Sequence, residues 1–289
     1  MNVTEIIKDL ASRITIVDAL ICLPGLTIMI AWLYRTSMGR NALVDSAPRR
    51  NNMPAYLPFV PLLIWLGVVT ASILAREMLL PDLADWKNAY IDNGLLSLGA
   101  IVAITVIIFM ARSHFARRLK GFGLAIEGIH KDFGAAILNL AAIYPVVGAT
   151  LILTMFAGKM ALGPDFEMQK HQQLEVLAEY PQLAVRAIVI VTTIVIMPAL
   201  EEMLFRGMFQ STIRSFLSNL GRSRSAWLSI AASSALFASV HANMWHWPAL
   251  FVLAMCMGYA YEKSGSLFRP ILIHTLFNAT SVIAVLVGS

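Results

Sequence analysis

Three short stretches of the chain hold side chains that can do chemistry. They are Glu201-Glu202-Met203-Leu204-Phe205-Arg206, Phe237-Ala238-Ser239-Val240-His241 and His274-Thr275-Leu276-Phe277-Asn278. All lie within or beside long apolar runs. An ionised side chain at membrane depth costs about 2.5–3.5 kcal/mol by insertion scales, so such residues are expected to serve a function. Singly, each has a plainer reading. Glu202 and Arg206 stand four apart with the acid N-terminal, the favourable order for an ion pair on one helix face. A lone histidine in an apolar run is more often a satisfied core residue than a catalyst, and a membrane asparagine is often only a link between helices. Together, Glu201, His241, His274 and Asn278 supply a base, two imidazoles and an amide donor. That is the set needed for attack of water on a carbonyl.

Geometry divides the two acids. Glu201 sits about 100° around a helix from Glu202. Positions three and four residues from it hold Met197, Pro198, Leu204 and Phe205, none of them a cation. Glu201 is therefore the candidate base, and Glu202 with Arg206 the supporting pair. Pro198 lacks an N–H, which lets the helix bend and frees backbone groups near the site. His274 and Asn278 share a helix face. His246, between Trp245 and Trp247, reads as part of an interfacial aromatic belt and stays outside the set. Glu201, His241 and His274 also form an alternative ligand set for a divalent metal such as zinc, with a position open for water. The chain lacks a His-Glu-x-x-His helix, and an asparagine amide is a poor zinc ligand. The expectation is a site that works without a cofactor.

The elements that must position these residues are membrane helices. The 289 residues are 58% hydrophobic and 13% charged, with mean hydropathy +0.72. A soluble domain carries about 25% charged residues, so this chain has too few to cover a surface facing water. Apolar runs fall at 14–34, 56–75, 94–111, 135–157, 183–204, 226–242, 247–262 and 268–287. Each approaches the roughly 20 residues that cross hydrocarbon. Only helices can satisfy their backbone there, and the alternation of a membrane barrel is absent. The expected fold is a single all-α polytopic bundle of about eight transmembrane helices in a lipid bilayer. No soluble domain and no repeat of 20–50 residues interrupts it.

The net charge of +5 and pI near 9.4 reflect loop lysines and arginines and not a basic soluble segment, which excludes nucleic acid as a partner. Fifteen of the 22 fall in alternate loops, the first, third, fifth and seventh. The positive-inside rule makes those loops cytoplasmic and puts both termini outside. Cys22 and Cys256 lie far apart in apolar runs and read as small buried hydrophobes without a disulfide. The acidic and basic residues around the first run suit an uncleaved first span better than a signal peptide. Between the fourth and fifth runs, Gln172 to Tyr180 is amphipathic and suited to lying on the membrane surface. One tension remains in this layout. Glu201 and His274 fall toward the cytoplasmic half, while His241 falls near the outer end of its span. If the fifth span continues through Phe216, Glu201 lies about 20 Å from the cytoplasmic end, nearer the midplane.

The three motifs resemble those of the CAAX-protease and bacteriocin-processing family of intramembrane peptidases, which includes type II CAAX-prenyl endopeptidases and the Abi proteins. The likeness rests on Glu-Glu-x-x-x-Arg, Phe-x-x-x-His and His-x-x-x-Asn in order on successive helices. The approach from Gly258 to Leu267, with Pro270 before His274, is also similar. The resemblance spans roughly residues 180–287, so 181–289 is expected to be the catalytic core. Residues 1–180 carry no recognised motif. The resemblance implies an endopeptidase acting on a peptide or membrane-protein substrate; the short loops and uncleaved first span suit a multi-pass protein of a bacterial inner membrane. It implies that Glu201 activates water, that His241 assists it, and that His274 and Asn278 stabilise the oxyanion. Two other classes fit parts of the set: a silent membrane adaptor that binds partner helices, and a transporter using Glu201 and the histidines as a proton relay. A relay has little need of Asn278, and an adaptor needs none of these groups ionisable.

Overall fold

The computed structural model describes residues 3–12, 16–169 and 171–288; Arg13 and Lys170, counted above among the basic residues, lie outside these. The described chain is helical, with one isolated bridge between Asn51 and Phe115. The helices are α1 Val3–Ser12, α2 Ile16–Arg35, α3 Phe59–Leu79, α4 Asp85–His114, α5 Arg118–Phe122 and α6 Ile129–Leu162. Then come α7 Gln172–Glu179, α8 Leu183–Phe216, α9 Arg222–Ser239, α10 Trp247–Ser264 and α11 Phe268–Gly288.

Each of the eight apolar runs coincides with one long helix. Among the described residues, α3, α4, α6, α8 and α11 are long and apolar enough to cross a membrane, and the apolar part of α2, Leu20–Arg35, is shorter. Helices α9 and α10 have 18 residues each. In α9 the apolar stripe is broken by four buried serines, Ser225, Ser229, Ser233 and Ser234. The chain is thus an integral membrane helical bundle, with five helices among the described residues meeting the length and hydropathy of a span.

Small residues set the close helix contacts. A Cβ on Gly99 would stand 2.7 Å from Val69, joining α3 to α4, and one on Gly25 would stand 2.1 Å from the Ala141 carbonyl, joining α2 to α6. Membrane helices approach closely where a side chain is missing, because packing and not hydrophobic exclusion drives them together. The main core is continuous across the chain. Ala100, Ile107, Phe115, Phe122 and Ala136 from the first half pack with Leu200, Met208, Phe237, Met257 and Ile273 from the second. At one end, Glu262 of α10 binds Arg214 of α8 at 3.0 Å, lies 3.9 Å from Arg49, and accepts from Ser46 at 3.2 Å. This buried cluster fixes the segment between α2 and α3 to the core.

Two details depart from expectation. Cys22 and Cys256 are free, as read from sequence, but both are half-buried instead of fully buried. Helix α7 is present, yet its apolar face is covered by protein: Leu177 is buried with Val185 and Val189 of α8 and Val282 of α11. An amphipathic stripe shows that a face is covered and does not say by what.

Candidate active site

Helix α8 has 34 residues, about 50 Å at 1.5 Å per residue, well beyond a hydrocarbon core of roughly 30 Å. Glu201 and Glu202 lie near its middle. The short α-helical turn that holds them, Met197–Glu202, is flanked by π-helical segments at Thr192–Ile196 and Met203–Gln210. Pro198 has no N–H to offer the carbonyls four and five residues before it. Those carbonyls belong to Ile194 and Thr193, and α11 supplies the missing donors. Thr275 Oγ1 donates to Ile194 O at 2.8 Å, and Asn278 Nδ2 donates to Thr193 O at 2.9 Å. The proline thus opens two hydrogen-bonding positions, and the third motif closes them while drawing α11 onto α8.

That docking places His274 between the two acids. Its Nδ1 is 3.0 Å from Glu202 Oε1, and its Nε2 is 3.8 Å from Glu201 Oε2. The carboxylate can only accept, so His274 Nδ1 carries the proton in this bond. The second distance is too long for a direct hydrogen bond. Glu202 Oε2 approaches Arg206 Nε to 3.0 Å, and both side chains are 0% exposed. The pair is a charge contact and not an aligned hydrogen bond, since neither atom finds a hydrogen-bond partner and Arg206 Nη1 also has none. Arg206 Nη2 donates to Ala254 O of α10 at 3.2 Å. Glu201 differs from its neighbour: its side chain is 19% exposed. The expected pairing of Glu202 with Arg206 is present, with an addition the spacing did not reveal. Glu202 also holds His274.

Phe237 of α9 joins the second motif to the first and third. Its buried ring lies under the Arg206 guanidinium at 4.7 Å, 4.8 Å from the His241 ring and 5.8 Å from the His274 ring. His241 sits just past the end of α9. Its Nδ1 donates to Phe237 O at 2.8 Å, which leaves Nε2 free to accept in the neutral ring. The following turn is fixed by Asn243 Oδ1, which accepts from Trp245 N at 3.0 Å, and by Trp247 Nε1, which donates to His241 O at 2.8 Å. His241 and His274 therefore converge on one aromatic ring, resolving the tension over depth. Among the described residues no three His, Cys, Asp or Glu side chains come close enough together to hold a metal ion. The proposed trio of Glu201, His241 and His274 does not fit one as arranged, and no step below passes through a metal.

Sequence reasoning missed a strap that precedes α8 in the chain. The segment between α6 and α7 lays Phe166 against Trp245, ring centroids 4.8 Å apart, and into the space beside Gly158. His246 lies near His241 and is hydrogen-bonded to the Gln169 backbone, and burial lowers its pKa. His171 Nδ1 caps α7 by accepting from Gln173 N at 3.4 Å. Its pKa falls to about 4, first through loss of hydration and then through repulsion from His241, His246 and His274. The residue as a whole is nonetheless exposed at the surface. No spacing rule links residues 70 positions apart, so only the doublet of tryptophans around His246 could have pointed here.

No curated protein and no solved structure matches the chain. A family model, described as type II CAAX prenyl endopeptidase Rce1-like, matches residues 183–280. That span holds every residue of the three motifs. Residues 183–280 of this membrane protein are thus similar to the type II CAAX prenyl endopeptidase Rce1-like family.

Proposed function

We propose that the chain is an intramembrane endopeptidase in which Glu201 activates the water that attacks a peptide carbonyl. The observation that carries this reading is the sharing of His274 between two acids in unlike surroundings, Glu202 sealed at 3.0 Å and Glu201 partly open at 3.8 Å. A water about 2.8 Å from both Glu201 Oε2 and His274 Nε2 fits at the apex between them. Glu201 takes a proton from that water as its oxygen bonds to the carbonyl carbon. With Nδ1–H held by Glu202, the His274 imidazolium turns Nε2–H to the oxyanion. Asn278 adds the amide hydrogen not used by Thr193, and His241 steadies Glu201 or the water. The proton then passes from Glu201 to the leaving amine as the C–N bond breaks.

Substrate chemistry suggested by the family is a prenylated C-terminal peptide, with peptide precursors and anchored proteins as other membrane substrates. In this reading residues 181–289 are the catalytic core, the alternate basic loops are cytoplasmic, and the protein sits in a bacterial inner membrane. The test is incubation of the purified protein in liposomes with a panel of such peptides, beside Glu201→Gln. Wild type is expected to cleave at least one class, with and without a chelator, and Glu201→Gln to lose about 10²–10⁴ in rate while remaining folded. Equal products from wild type and variant, or no product from any class, would overturn the reading.

A further inference from the structure

One turn of α8 has a hydrogen-bonding register that the three motifs do not explain. Thr192–Ile196 is π-helical, and Met197 N donates to Thr192 O, five residues back. In an α-helical register that N–H would take Thr193 O, four residues back. Pro198, the next residue, has no N–H to give. Thr193 O is therefore left to a donor outside α8 only while the turn is wide, and Asn278 Nδ2 is that donor, at 2.9 Å. Narrowing the turn would hand Thr193 O to Met197 and leave Asn278 without its acceptor. It would also rotate the two halves of α8 against each other by about 100°, the step between successive residues of a helix.

The turn does not hold itself open. Thr193 Oγ1 is buried and finds no hydrogen-bond partner among the described residues, which disfavours the wide register. Resistance to rotation comes from α4. After the turn, Met197–Glu202 lies against α4, with Leu200 in the core that holds Ala100, Ala103 and Ile107. Before it, Val185 and Val189 sit among Leu177 and Val282, in apolar contacts that have no fixed direction. A directional contact is made at the first residue of the turn. Ser97 Oγ of α4 lies 2.6 Å from Thr192 Oγ1, and Thr192 Oγ1 donates to Ile188 O at 2.7 Å. A hydroxyl has one proton, so Thr192 gives its own to Ile188 and accepts from Ser97. Ser97 and Thr192 are both buried, and Ser97 belongs to none of the motifs.

We propose that Ser97 and Thr192 are positioning residues that lock the wide register of α8, and through it the seat of Asn278 and His274 beside Glu201. With the lock in place, both halves of α8 are held against one helix, α4, and the turn between them keeps its extra residue. The pair acts through the Thr193 carbonyl and not on the substrate. Its kinetic consequence rests on the endopeptidase reading, whereas the register is a property of the fold.

Two readouts on the full chain in liposomes separate the lock from the hydrolytic reading. Hydrogen exchange followed by mass spectrometry needs no substrate. Ser97→Ala is expected to speed exchange up to about tenfold in peptides covering 192–198 and 271–279, the shift that loss of one buried hydrogen bond produces, and to leave α9 unchanged. Thr192→Val gives the same reading where Ser97→Ala does not fold, and Thr192→Ser, which keeps the hydroxyl, is expected to exchange as wild type. On a peptide that wild type cleaves, Ser97→Ala and Thr192→Val are each expected to lower kcat about three- to tenfold with KM within about twofold. Because the two residues share one bond, the double variant should fall no further than the worse single. Unchanged exchange in both variants, a rise spread evenly over all helices, or a loss that Thr192→Ser does not avoid would overturn the proposal. So would additive losses in the double variant, or wild-type kcat in both singles. A wild type that cleaves nothing would sink the hydrolytic reading instead, and the exchange pattern would still decide the lock.

Discussion

Replacing Glu202 with Gln tests the electrostatic frame of the site most directly. The carboxylate is 0% exposed and touches two cation-capable partners, Arg206 Nε and His274 Nδ1, each at 3.0 Å. Gln keeps the shape and removes the charge. Arg206 then stays buried with one carbonyl, Ala254 O, as its hydrogen-bond acceptor, under the face of Phe237. Removing one partner of a buried pair costs about 3–5 kcal/mol, because the other charge is left uncompensated. At 1.36 kcal/mol per decade that shifts the folding equilibrium by roughly 10²–10⁴, a fifth or more of a stability of about 5–15 kcal/mol. Glu201→Gln strands no buried cation and is expected to stay within about 1 kcal/mol of wild type. The double variant Glu202→Gln with Arg206→Met removes both charges, and replacing a whole pair is often near neutral, so it should recover more than half of the loss. The assay is denaturant-induced unfolding in mixed micelles, followed by tryptophan fluorescence and read as a double-variant cycle. A Glu202→Gln protein within about 1 kcal/mol of wild type, or a double variant no more stable than the single, would refute this account of the pair.

Three further outcomes follow from packing, titration and topology. A Cβ on Gly207 would stand 2.2 Å from the buried Phe122 ring, so Gly207→Ala should cost about 1–3 kcal/mol by overpacking, and the same unfolding assay checks it. His171 has its pKa lowered from 6.5 to about 4, so below pH 6.5 the unfolded chain binds a proton that the folded chain refuses. Stability is therefore full above pH 6.5 and falls as pH drops toward 4, and His171→Gln should flatten that slope in thermal unfolding measured across pH. A cysteine at the exposed Ser37, in the first basic loop, should react with a membrane-impermeant maleimide only after the membrane is opened. Labelling from outside intact cells would reverse the orientation.

The sequence determined the solvent, the class of fold and the candidate chemistry. Charge content and run length bear directly on whether a helix is stable in hydrocarbon, a local property that needs no neighbours. The pairing of Glu202 with Arg206 was legible for the same reason, because a spacing of four lies within one helix. Tertiary structure alone decided what meets across helices. That Thr275 and Asn278 cap the carbonyls freed by Pro198, that Glu202 also holds His274, and that Phe237 gathers Arg206, His241 and His274 all depend on how three helices cross. The strap carrying Phe166 and His171 lies ahead of α8, where no motif marks it. Gly39, in a loop that reads as a plain connector, lies against Trp32 and Trp227 at an aromatic end of a groove formed by four helices. Period and composition fix each helix's own faces, whereas crossing contacts are set by small residues and side-chain shapes many positions apart, which no local window contains.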